Sequence, residues 1–130
     1  MNRWTLASGL LAAFTAMVHV FAGGQTVATP LLAASFDETA QLTMYACWHI
    51  VSVTLTTSAV ALLWSALPGN SARAQLLIGF VSLLWIGSGL VFVAVALTRP
   101  EGGWLFQLPQ WTLLIPVGTL GLVGAMLTRG

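Results

Sequence analysis

QLTMYACWHIVSVTLTTSAVALLWSAL, residues 41–67, decides the class of this fold. As a single helix it is about 40 Å long, more than the roughly 30 Å hydrocarbon core of a bilayer. It carries no charged residue, yet Gln41, Tyr45, His49, Ser52 and Thr56 recur at spacings of four, four, three and four and so share one helix face. Lipid satisfies no polar group, which directs that stripe toward protein, water or a ligand.

The remainder of the chain belongs to the same solvent. Of 130 residues 58% are hydrophobic and 5% charged, with a mean hydropathy of +0.93. Soluble domains carry charge on about a quarter of their residues, so this chain cannot cover a water-facing surface. With no Lys, four scattered Arg and a net charge of +1, nucleic acid is excluded as a partner. Cys47 is the only cysteine, which rules out an intrachain disulfide and leaves the redox compartment unread.

Apolar segments recur at Trp4–Ala22, Leu42–Leu67, Leu76–Leu97 and Leu108–Leu127. The expected fold is an all-α membrane protein, a single domain over 1–130 in which a four-transmembrane-helix bundle spans at about 4–23, 36–67, 73–98 and 108–128. Four crossings put both termini on one side, where Arg3, Arg73 and Arg129 gather, while Arg99 lies opposite with Asp37, Glu38 and Glu101. The positive-inside rule makes the first side, with the N and C termini, cytoplasmic. Trp4 and Trp64 then mark the inner boundary, and Trp104 and Trp111 the outer one. Arg3, the run Leu6 to Val18 and Val20-Phe21-Ala22 also satisfy a secretory signal peptide, but the run is long for one, which favours a retained span.

Between the first two spans, Gly23 to Ala34 is too apolar for a solvated loop, and Thr29-Pro30 suits the start of a short interfacial helix. Ser35 and Glu38 have capping-box spacing at the start of the second span, with Asp37 favouring the positive helix end. Pro68-Gly69-Asn70-Ser71 reads as a tight turn. In the third span Gly79, Ser82, Ile86, Gly89, Val93 and Ala96, and in the fourth Gly118, Gly121 and Ala125, form small-residue faces that admit close helix contact. Their smoothness also suits a homo-oligomer or a larger membrane complex. Pro109 fits the first turn of the fourth helix, whereas Pro116 lies inside it and frees the carbonyl of Thr112.

The first span repeats the polar stripe of the second, with Thr5, Ser8, Ala12, Thr15 and His19 on one face. His19 lies fifteen positions after Trp4 and His49 fifteen before Trp64, so both imidazoles stand about 22 Å above the inner Trp level, in the outer half of the bilayer. Gly89 and the Thr112 carbonyl come to a similar level. The expected site is therefore a two-histidine pocket of His19 and His49, lined by Thr15, Tyr45, Ser52, Gly89 and Thr112 and roofed by residues 23–34.

Three uses of such a pocket are open. Its groups can bond to one another and to backbone carbonyls, which makes the chain a non-enzymatic structural or accessory subunit that binds a partner. The hydroxyl stripes can line a conduit for a small solute or for protons relayed by histidine. Or the histidines can be cofactor ligands. A haem would be b-type, since no Cys-x-x-Cys-His attachment motif is present. Copper is the other candidate, through Met44, Cys47 and His49, but Cys47 and His49 diverge by about 160° on one helix and cannot point at one ion. Catalysis has little support, because a base needs an orienting acid and Asp37, Glu38 and Glu101 are all expected at the outer surface.

Tyr45-Ala46-Cys47-Trp48-His49, His19 just before a glycine pair, Gly87-Ser88-Gly89 and Ile115-Pro116-Val117-Gly118 occur in an order that resembles the small four-span bacterial inner-membrane proteins of the YgdD and YwdK type. The resemblance implies a multi-pass protein of the bacterial inner membrane and supplies no biochemical role.

Overall fold

The computed structural model describes residues 1–99 and 102–127 and is all-helical over them. Glu101 and Arg129, to which the charge pattern assigned sides, lie outside the described residues. The elements are α1 (Arg3–Val18), a π-helical segment (His19–Ala28), α2 (Thr29–Ala33), α3 (Glu38–Ala66), α4 (Gln75–Leu97), α5 (Trp104–Gln107) and α6 (Trp111–Leu127). Three helices are long and apolar enough to cross a membrane: Arg3–Ala33 taken as one, Glu38–Ala66 and Gln75–Leu97. α6 is a shorter apolar helix of 17 residues.

The first helix corrects an expectation. Residues 23–34 do not fold back as a roof but continue α1 through ten π-helical residues into α2. In the π segment each N–H reaches one residue further back than in an α-helix. The Thr29 hydroxyl follows the same pattern, donating to the Gly24 carbonyl at 3.0 Å. The Ser35 cap also fails. Asp37 is the cap of α3, its carboxylate accepting from the Ala40 N–H at 3.1 Å.

Gln41 closes this corner. Its Nε2 lies 2.9–3.0 Å from the carbonyls of Leu31, Leu32 and Ala34, of which Leu31 and Ala34 also accept from the N–H groups of Ala34 and Phe36 where α2 ends. Gln41→Leu keeps the volume and removes the donor that ties these carbonyls to α3, at an expected cost of about 1–3 kcal/mol. Hydrogen-exchange mass spectrometry should show lost protection confined to residues 29–41, and unchanged protection there would contradict the role.

Neighbouring helices run antiparallel, as the contacts fix. Asn2 and Thr5 meet Gly124 while Ser8 meets Val117, pairing α1 with α6. Gly9 meets Leu63 and His19 meets Ser52, pairing α1 with α3. Gln75 meets Ala125 and Gly89 meets Ile115, pairing α4 with α6. The cyclic order is therefore α3, α1, α6, α4, and the α3–α4 seam that closes it is the sparsest.

Small residues make the approach possible. A Cβ on Gly118 would meet the Ser82 carbonyl, one on Gly124 the Thr5 hydroxyl, and one on Gly121 the Ser82 and Ser8 hydroxyls. The glycines expected to serve self-association are thus largely consumed inside the chain. A Cβ on Gly79 or Gly87 would meet no described atom of another element within 4 Å. The core between the helices is Ala12, Leu55, Ala59, Leu62, Ile78, Val81, Trp85, Leu114 and Val117. Outside, large apolar side chains such as Leu10, Phe14, Ile50, Phe80, Leu84 and Leu90 stand exposed, the inverse of a water-soluble surface.

Candidate functional site

α1 carries its polar stripe where the spacing put it. Thr5, Ser8, Ala12 and Thr15 are buried and His19, one turn on, is half-buried. Most hydroxyls in the stripes are spent on carbonyls: Ser8 on Val117 at 2.7 Å, Thr15 on Leu11 at 2.8 Å and Thr56 on Ser52 at 2.8 Å. Among the buried hydroxyls of the stripes Thr5 is the exception, without a hydrogen-bond partner among the described residues and beside Gly124.

His19 sits at the α1–α3 seam. Its Nε2 lies 3.1 Å from the Ser52 hydroxyl and 3.4 Å from the Trp48 carbonyl. The Ser52 hydroxyl donates to that same carbonyl at 3.1 Å, so Ser52 has a lone pair rather than a hydrogen to offer. This network assigns the hydrogen of the neutral ring to Nε2 and leaves the lone pair on Nδ1. The ring stacks on the Trp48 indole, centroids 3.8 Å apart and planes 19° from parallel. One turn further, Trp48 also lies where a Cβ on Gly23 would have to go. Trp48 is thus held between an imidazole and a bare backbone.

His49 is elsewhere. It is exposed, makes no hydrogen bond among the described residues, and meets only the edge of Tyr45 at a ring separation of 4.6 Å. The helix register was right about depth, because His19 contacts Trp48 and Ser52, which bracket His49. It was wrong about azimuth: Trp48 and Ser52 face α1, and His49 turns away by about 100° from Trp48.

The other expected lining residues do not join a shared pocket either. Gly89 is packed against Ile115 and Leu114 of α6. Thr112 is exposed, its hydroxyl donating to the Pro109 carbonyl at 2.7 Å. Thr15 is buried with its hydroxyl turned back on its own helix. Tyr45 belongs to His49 rather than to His19, and of the lining set only Ser52 bonds the His19 ring, Thr15 meeting His19 through its backbone carbonyl.

This geometry does not frame a bis-histidine haem. Such a site needs two imidazoles facing across a gap with a ring nitrogen of each directed at the iron. Here the Nε2 of His19 is engaged, one ring face is covered by Trp48, and His49 points outward. Cys47 is exposed on α3, and among the described residues no group of three or more His, Cys, Asp and Glu side chains converges for a metal ion.

Trp48 is the participant that the polar stripe hid. Its signal was apolar: Trp48, Ser52, Leu55, Ala59, Leu62 and Ala66 recur at four, three, four, three and four, and these positions face the bundle. No protein family, curated protein or solved structure matches this chain.

Proposed function

We propose that this chain is a non-enzymatic integral protein of the bacterial inner membrane, crossing it four times with both termini cytoplasmic. Its role is that of an accessory subunit: a helix of another membrane protein, or of a second copy, docks along the outward face of α3. The observation that carries this reading is His49, an imidazole on the exposed side of a membrane-length helix with no hydrogen bond among the described residues. An ionisable group so placed marks a functional contact more often than a lipid-facing accident.

Depth sharpens the point. His49 stands about 22 Å from Trp64 along the helix, which leaves it about 8 Å below the outer edge of a 30 Å core. Helical side chains lean toward the N-terminus, so the ring rises toward Tyr45 and the headgroups without reaching them. Beside it runs a second seam, Ala46, Ile50, Val53, Thr57, Val60 and Trp64, again at four, three, four, three and four, and every member is exposed. Thr54 and Thr57 donate to carbonyls of their own helix, so this seam is smooth and self-satisfied apart from the imidazole. The resemblance of the sequence motifs to four-span bacterial proteins supports the choice of membrane and nothing finer.

The test is a photoreactive amino acid placed at Val53 or, as a control, at buried Ala59, in cells. The reading predicts a protein adduct at Val53 and none to another chain at Ala59. His49→Leu should weaken that adduct about threefold, the worth of one interhelical hydrogen bond of about 0.6 kcal/mol. Adducts to lipid alone at Val53 would refute it.

A further inference from the structure

At the end of the bundle where α1 begins and α3 hands over to α4 lies a shallow, open recess of about 400 Å³, lined by Met1, Asn2, Gly69, Ser71, Ala72 and Leu127. We propose that it binds the phosphate of an anionic phospholipid in the adjoining leaflet. The inference rests on the bundle lying in a membrane but not on which side this end faces.

Charge is the first support. Arg3 and Arg73 each follow a lining residue, Asn2 and Ala72, and both are exposed. The described acidic residues, Asp37 and Glu38, sit at the start of α3, the opposite end of that helix from this recess. Two long, exposed cationic side chains are thus tethered beside the lining residues with no described carboxylate at this end, and Arg forks match phosphate geometry.

Donors are the second. The turn after α3 makes one helical turn of its own, the Ala74 N–H donating to the Asn70 carbonyl at 2.9 Å. That leaves the backbone N–H groups of Ser71, Ala72 and Arg73 without an acceptor among the described residues. Ser71 and Ala72 line the recess, and neither side chain is large enough to fill it.

A lipid is favoured over free phosphate by what surrounds the donors. Trp4 follows Arg3, and Trp64 supplies the carbonyl that accepts from the Asn70 side chain at 3.0 Å. Both indoles are half exposed, at 46% and 52%, as rings at headgroup level are. Leu127 and Met1 give the recess an apolar wall suited to the glycerol and first methylenes of an acyl chain. Basic recesses at helix ends are known to hold acidic headgroups in this manner.

The experiment is native mass spectrometry of the full chain in detergent, titrated with phosphatidylglycerol and phosphatidylethanolamine of identical acyl chains. Phosphatidylglycerol should bind about tenfold more tightly. The double variant Arg3→Gln with Arg73→Gln should bring the two lipids within about twofold of each other. Ala72→Trp, which sets a bulky ring on the recess wall and keeps both charges, should do the same, with helical content and melting unchanged in both variants. Equal binding of the two lipids by the native chain would overturn the proposal. So would a preference that survives Ala72→Trp, or inorganic phosphate displacing the lipid at equal concentration.

Discussion

Trp85→Ala is expected to cost about 3 kcal/mol and to release α3 from α4. Trp85 is 3% exposed, and its Nε1–H donates to the Ser58 hydroxyl at 2.9 Å across the sparsest seam of the bundle. In water the loss would include the transfer of an indole, but lipid is as apolar as the core, so that share vanishes. What remains is the void, whose walls lose their dispersion contacts whatever the solvent. Trp85→Phe should recover most of the loss, since the ring body returns and the Ser58 hydroxyl still donates to Leu55 at 3.0 Å. Equilibrium unfolding in mixed micelles measures both. A Trp85→Ala protein as stable as the native chain would mean that α3 and α4 are not held through this residue.

Gly118→Ala should be nearly as damaging, costing about 1–3 kcal/mol, although it adds a single methyl group. The added carbon would meet the Ser82 carbonyl and come within 3.0 Å of the Ile86 amide nitrogen. Both are backbone atoms of α4 and cannot swing aside like the end of a side chain. The two helices must separate along their whole length or tilt. Gly87→Ala on the open side of α4, where the Cβ would meet no described atom of another element within 4 Å, is the matched control and should change stability by less than about 0.5 kcal/mol in the destabilising direction. If the two alanines behave alike, α4 and α6 are not in the close contact described.

Those two residues also show why some features could be read in advance and others could not. Close packing through Gly89, Gly118 and Gly121 was legible because a missing Cβ has one principal use in a membrane helix. The α1 stripe was legible because Thr5, Ser8, Ala12 and Thr15 leave no bulky residue on that face, which lets α3 and α6 approach it. On α3 the same reasoning misled. Threonine hydroxyls satisfy themselves on the carbonyl four residues back, as Thr54, Thr56 and Thr57 do, so they carry no information about burial.

The true inward seam of α3 is marked by Leu55, Ala59 and Leu62, which look no different from lipid-facing residues in a hydrophobic sequence. An error of one position in choosing the seam rotated His49 by about 100° and built a pocket that side-chain packing does not make. The continuation of α1 through the π segment was illegible for another reason. Residues 23–34 read as a connection between spans, and it takes the Trp48 indole pressed on Gly23 to show that this glycine makes room for a ring.

The depth of His49, the outward seam of α3 and the number of crossings all presuppose one topology, and a membrane-impermeant maleimide reports it directly. In a Cys47→Ser background, Ser35→Cys, Ala72→Cys and Met126→Cys each place one thiol at an exposed position near a helix end. The account predicts that Ser35→Cys reacts in intact cells, and that Ala72→Cys and Met126→Cys react only after permeabilisation. Labelling of Met126→Cys from outside would show that α6 does not cross, and would contradict the four-span bundle.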